Sequence, residues 1–271
     1  MAGYVASMEA LGATMVVAAI ALLVLMLVTW AISVRIEDVS IVDVVWGLTF
    51  VTSAIVATLV GGGDGTRQLI ALVLVVLWGG RLAGFIGIRK VGEGEEDRRY
   101  REMRERDPER FPLISLFKIF LLQGVLAWIV SLPLFGIGAS TSSVGPLVVV
   151  GIVFWAIGLF FEAVGDQQNA SFKADPANKG KVNDRGLWKY TRHPNYFGDF
   201  MVWWGLYLIA LDAGAWWSFP APLIMTFLLT KGTGKGMTEK HMSKREGYAE
   251  YIERTSGFIP LPPRSKAARA T

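Results

Sequence analysis

Residues 11–34 read LGATMVVAAIALLVLMLVTWAISV, a run without a charged side chain that stops at Arg35. A helix of about 20 apolar residues crosses roughly 30 Å of hydrocarbon, so this run predicts a membrane span. The residues before it carry Glu9 and neither Lys nor Arg. A cleaved signal peptide needs a positive start, so the span is expected to be retained.

Six more apolar runs follow, at 41–60, 68–88, 115–137, 145–165, 197–211 and 216–231. Composition agrees: 52% of residues are hydrophobic, with ten Trp and fifteen Phe, and mean hydropathy is +0.42. A soluble domain of this length needs more polar surface. The expected fold is all-α, a polytopic bundle of about seven transmembrane helices whose cytoplasmic loops cap a cofactor cavity. The last two runs are short, and Asp212-Ala-Gly214 between them predicts a tight turn in a helical hairpin.

The basic residues support that count. Arg81 lies within the third run and Arg67 at the turn between the second and third. The other Lys and Arg fall at Arg35, in 89–118, in 173–192, or from Lys231 onward. With seven spans these regions share one side, and the positive-inside rule makes it cytoplasmic. The N-terminus is then outside and the C-terminus inside. The net charge of +4 and pI near 9.3 follow from topology, and no nucleic-acid partner is expected. There is no Cys, and only His193 and His241 are present, so disulfides, thiolate chemistry and a transition-metal site are not expected.

The longest polar stretch is RKVGEGEEDRRYREMRERDPERF (89–111), with eight acids and eight bases. It reads as a solvated surface helix with i,i+4 pairs. No internal repeat is evident, which separates the chain from transporters built of matched halves. It reads as one domain, 1–263, with five spans in 1–165 and a cofactor-binding part in 166–263. The tail 264–271 is expected to be disordered. GTGKGM at 232–237 lacks P-loop spacing and reads as a flexible exit from the last span. Gly80 and Gly84 fit a small-residue packing motif.

Ionisable residues inside spans are costly, which makes them functional candidates. Asp43, Arg81, Glu162, Asp166 and Asp199 stand out. Glu162 and Asp166 are i,i+4 and share a helix face. Arg81 could pair with Asp43 or Glu162. Nearby, the loop KADPANKGKVNDRGLWKYTR (173–192) carries Lys173, Lys179, Lys181, Arg185 and Arg192. Such a density of cations suits a polyanion such as a dinucleotide pyrophosphate. Asn195 can donate and accept, as recognition of a carboxamide requires. Asp166 and Asp199 can accept from ribose hydroxyls or an amide. Trp188, Tyr190 and Tyr196 add aromatic surface.

GLWKYTRHPNYFGDFMVWWG (186–205) and YAEYIERTSGFIPLPP (248–263) resemble the C-terminal region of membrane steroid reductases, both the steroid 5α-reductases and the sterol C14-reductase and lamin B receptor family. RHPNYFGD is especially close to the sterol C14-reductases. LWGGRLAGFIGIRK (77–90), EEDRRYREMR (95–104) and EAVGDQQNASFKADPANKGK (162–181) look like a mostly bacterial branch of the 5α-reductase superfamily, which implies the inner membrane.

The resemblance implies NADPH, held in a cytoplasm-facing cavity, and reduction of an activated C=C bond in a lipophilic substrate arriving from the membrane. The matching cofactor positions are Arg89, Lys90, Glu162, Asp166, Lys173, Lys181, Arg192, His193, Asn195, Tyr196, Asp199, Glu239, Tyr248 and Tyr251. The family polarises the substrate carbonyl with a Tyr in span 3 supported by a Glu in span 2. Here Trp78 stands at the first position and Asp43 best matches the second, so Tyr196 is a candidate acid. An R-H-P string with a Glu and Tyr in the tail is also similar to isoprenylcysteine and phospholipid methyltransferases, which use S-adenosylmethionine. A lipid binder or transporter retaining the fold is a third reading.

Overall fold

The computed structural model describes residues 2–232, 239, 242–243 and 245–264, with side chains from Met8 on, Glu93 excepted. GTGKGM beyond Gly232, His241, and the tail after Arg264 lie outside the described residues. Among the described residues all regular structure is helical, and one isolated parallel bridge joins Thr191 to Ser256.

Among the described residues, apart from short 3-10 turns, ten helices carry the chain: α1 (Ala2–Arg35), α2 (Ile41–Val60), α3 (Gly65–Glu93), α4 (Arg98–Arg106), α5 (Phe111–Val130), α6 (Leu132–Ala139), α7 (Leu147–Ala174), α8 (Pro194–Asp212), α9 (Pro220–Thr230) and α10 (Tyr248–Arg254). Five of them, α1, α2, α3, α5 and α7, are long and apolar enough to cross a membrane. They mark an integral membrane protein. Two of the seven expected runs fall short of that test. Helix α8 has Asp199 in its second turn and Asp212 at its end. Helix α9 has 11 residues, about 16 Å of rise.

Local chemistry sets the helix ends. The Asp64 carboxylate caps α3 by accepting from the Thr66 N–H, and Asp97 caps α4 through the Arg99 N–H. Gly94 closes α3 in the left-handed region at φ 66°, with its N–H on the Lys90 carbonyl. The run expected at 115–137 is interrupted. Its first part holds a π-helical turn at Leu116–Leu121, and it breaks at Ser131, where Pro133 cannot donate back to residue 129.

The chain divides into two compact units. The first is Met1–Val148 with Ile209–Ala221. Its helices α2 and α3 cross at Gly47 and Gly79, where a Cβ on either would meet the other's carbonyl oxygen at 2.5–2.6 Å. Gly80 and Gly84, the expected packing pair, face open space. One apolar cluster joins Met26, Val42, Tyr100, Phe111 and Phe120, and a second joins Ala18, Ala57 and Phe135.

The second unit is Val149–Leu208 with Pro222–Thr271. Its helices α7 and α8 meet through glycines seven apart: Gly151, Gly158 and Gly165 on α7 against Gly205, Gly198 and Pro194 on α8. A Cβ on Gly198 would lie 2.5 Å from the Glu162 nitrogen and the Gly158 oxygen. With no hydrophobic drive between helices in lipid, such close backbone contact supplies the packing. The hairpin expected after Gly214 (φ 80°) is present, and Trp204 donates to the Thr226 hydroxyl at 3.2 Å.

Candidate functional site

The second unit gathers most of the expected polar residues. Glu162 and Asp166 follow Gly158 on the same face of α7, and both are buried. The close approach at Gly158, Gly165, Pro194 and Gly198 brings the start of α8 against them. Helix α8 begins where it does because His193 precedes a proline, which disfavours the helical region, and Pro194 needs no N–H at the first helical position.

The Asn195 amide donates to Asp166 Oδ1 at 3.1 Å, and its carbonyl oxygen accepts the Tyr196 N–H at 3.1 Å. The buried His193 ring stacks on Tyr196, with centroids 5.2 Å apart and planes within 1°. Its Nε2 lies 3.2 Å from Glu239 Oε1. The same oxygen accepts from Arg192 Nε at 2.9 Å.

Two segments sixty residues apart are tied together at this place. Arg192 Nη1 donates to the carbonyls of Ile252 and Thr255, and its backbone N–H donates to Ser256. Thr191 donates to the Phe258 carbonyl at 2.8 Å. The Tyr251 hydroxyl donates to the Trp188 carbonyl at 2.6 Å, and Arg254 pairs with Asp184. The loop is held to α7 as well: Trp188 Nε1 donates to the Gly165 carbonyl, and the Leu187 N–H donates to Gln168. Arg192 and Tyr251 thus act as ties between loop and tail.

Burial, reinforced by the Glu239 carboxylate and opposed by Arg192, pushes the Tyr248 phenol up to about 12. Burial pushes Tyr251 up too, with Tyr248 adding to it. Lys173, Lys179, Lys181 and Arg185 remain exposed, and Asp199 is half-buried.

The other expected residues stand in the first unit. Asp43 lies in the first turn of α2. Its Oδ1 accepts from the Tyr100 hydroxyl and its Oδ2 from Arg99, both at 2.9 Å. Burial pushes Tyr100 up, and the Asp43 charge adds to this. Arg99 also bonds Asp97. Trp78 is fully enclosed, its ring 5.6 Å from Phe50. Arg89 is exposed, whereas Lys90 pairs with Asp38 at 2.5 Å and donates to the Glu95 carbonyl. Arg81 lies over the Phe85 ring.

The stretch 89–111 differs from a free solvated helix. One pair, Arg98 with Glu102, is i,i+4. Others tie α4 to the α1–α2 turn: the Val39 N–H bonds Glu96, the Asp97 N–H bonds the Ser40 hydroxyl, and Tyr100 reaches Asp43. Tyr100 sits on the apolar side of α4, so burial, which charge counting overlooks, sets its role. The sequence reading also missed the glycine spacing of seven on α7 and α8, a signal that is present in the chain.

A family model described as "Protein of unknown function (DUF1295)" matches residues 29–255, and the chain belongs to that family. The "Uncharacterized protein C594.04c" of Schizosaccharomyces pombe (strain 972 / ATCC 24843) is 25% identical over 263 residues, covering 86% of this chain and 76% of its own. The "Probable O-methyltransferase ustE" of Ustilaginoidea virens is 40% identical over 58 residues, 21% of this chain and 20% of its own. No solved structure matches.

Proposed function

We propose that the protein is an NADPH-dependent membrane reductase acting on a C=C bond of a lipophilic enone, steroid-like or isoprenoid. The observation that carries the proposal is the convergence of RHPNYFGD with the tail 248–258, since these are the two stretches that resemble the steroid reductases. In this reading α8 and α9 complete seven crossings, with the N-terminus outside and the cluster on the cytoplasmic side. The membrane reductase would belong to the steroid 5α-reductase superfamily.

The donor set fits NADPH. Exposed Lys173, Lys179, Lys181 and Arg185 would take its phosphates. Asn195, its amide orientation set by Asp166 and the Tyr196 N–H, keeps a second N–H and a second lone pair for a carboxamide. Asp166 and Asp199 would accept ribose hydroxyls. When bound, the dinucleotide supplies a hydride. Tyr196 would give the proton that completes saturation of the double bond, its ring held by His193. Trp78 is enclosed and Asp43 accepts from Tyr100 and Arg99, so Tyr196 is the donor proposed here.

The likeness to ustE over 58 residues favours a second reading, a membrane methyltransferase using S-adenosylmethionine. A thermal-shift titration of the detergent-purified protein with NADPH, NADH and S-adenosylmethionine separates the two, because a ligand of the folded state raises apparent stability. A shift with NADPH is expected. A shift with S-adenosylmethionine alone would replace the first reading by the second.

A further inference from the structure

The first unit holds a second polar centre. Arg67, at the start of α3, is completely buried and pairs with Asp212 at 2.9 Å. Its Nη1 donates to the hydroxyls of Ser140 and Ser142, and its Nη2 to the Ser143 carbonyl. The Gly145 N–H donates to Asp212, and Ser140 donates to the Ala213 carbonyl. One ion pair therefore fixes two loops, 140–145 and 212–215.

Beside these loops opens a cavity of about 620 Å³. Pockets of about 300–1,000 Å³ suit a small organic ligand. Met8, Leu11 and Met15 of α1 form one apolar wall, and Trp217 adds an aromatic surface. Ser140, Thr141 and Ser142 form the polar side. Ser140 and Ser142 belong to the Arg67 network. Thr141 is exposed between them, and among the described residues its hydroxyl has no hydrogen-bond partner. Trp216, 70% exposed, stands at the mouth, where amphipathic rings mark a membrane–water boundary.

The charge of the lining decides the ligand class. Among the described residues no Lys, Arg, Asp or Glu lines the cavity, and the buried Arg67 is balanced by Asp212. A carboxylate or phosphate entering here would lose water without gaining a cation. A hydroxyl or carbonyl oxygen would find the Thr141 hydroxyl as its donor, since Ser140 donates to the Ala213 carbonyl and Ser142 to Ser140. We propose that this cavity binds a neutral amphiphilic lipid, its hydroxyl or carbonyl oxygen accepting from Thr141 and its chain along Met8, Leu11 and Met15. The site is independent of the cofactor cluster and of the proposed reaction.

The test uses the full chain in phosphatidylcholine nanodiscs with a diazirine-bearing long-chain alcohol as probe. Photolabelling followed by peptide mapping is expected to mark 8–15, 139–142 or 213–217. Hexadecanol should compete at least about tenfold better than hexadecane or palmitate, the worth of a hydrogen bond to a neutral head. Thr141→Val, which removes one hydroxyl at nearly constant shape, should reduce that preference about fivefold. Leu11→Trp should abolish labelling by filling the cavity; if it does not fold, Thr141→Val still decides. Labelling spread along all spans, or equal competition by hexadecane, would mean ordinary lipid contact and overturn the proposal. Stronger competition by palmitate would overturn the neutral ligand.

Discussion

The two buried polar clusters use the same residue types to different ends. In the first unit, Arg67 meets the carboxylate at the end of α8 and hydroxyls and backbone carbonyls of the 140–145 loop. In the second, Glu162, Asp166, Asn195, His193 and Glu239 gather at a helix crossing and a tail, beside exposed Lys173 at the end of α7 and Lys179, Lys181 and Arg185 in the loop after it. The first cluster balances its own charge and locks loops. The second assembles more acid than a lock needs and sets it next to exposed cations. Buried ionic groups mark function where their chemistry exceeds what holding the chain requires.

The largest expected effect breaks the lock. Arg67→Leu leaves Asp212 buried without its cation and should cost about 3–5 kcal/mol, read as a fall in detergent unfolding midpoint. Adding Asp212→Leu should restore much of that loss, and failure to do so would show that Arg67 serves more than the pair. Next, Gly198→Ala forces a methyl against the Glu162 nitrogen and the Gly158 oxygen. It should cost about 1–3 kcal/mol and also blunt the NADPH thermal shift, which the Arg67 variant should retain in proportion to folded protein.

Asn195→Ala should weaken NADPH about tenfold or more with a smaller change in stability. Unchanged NADPH affinity would argue against the amide's proposed role. Tyr100→Phe removes the hydrogen bond to Asp43 and should cost about 1 kcal/mol, measured by the same unfolding assay.

The smallest effect is in pH dependence. The Tyr248 phenol has a raised folded-state pKa, so the stability it contributes is complete below its unfolded value of about 10. That contribution is lost as pH climbs towards about 12. Tyr248→Phe should therefore flatten the alkaline limb of a stability–pH curve between those values. Arg67→Leu should leave that limb in place.

Much of the fold was legible in the chain. Five long apolar runs define five crossing helices because hydrocarbon demands length and lack of charge, both local properties. The turn at Gly214 was legible too, whereas α8 starts at Pro194, three residues before the run expected at 197–211. Charge counting misread 89–111, because Tyr100 and Phe111 bury an apolar side that binds α4 to the α1–α2 turn. It also assigned Arg67 to a turn, when a partner 145 residues away makes it a core residue.

Sequence alone determined membrane insertion, helix placement and the presence of a polar string, 192–199, beside a basic loop. Tertiary structure alone decided which groups meet. Glycines seven apart let α7 and α8 touch, so Asn195 reaches Asp166, and the tail returns to clamp Arg192. Those contacts depend on backbones approaching across long stretches of chain; the glycine spacing marks a face that can approach closely, but the partner that meets it is set by the tertiary fold.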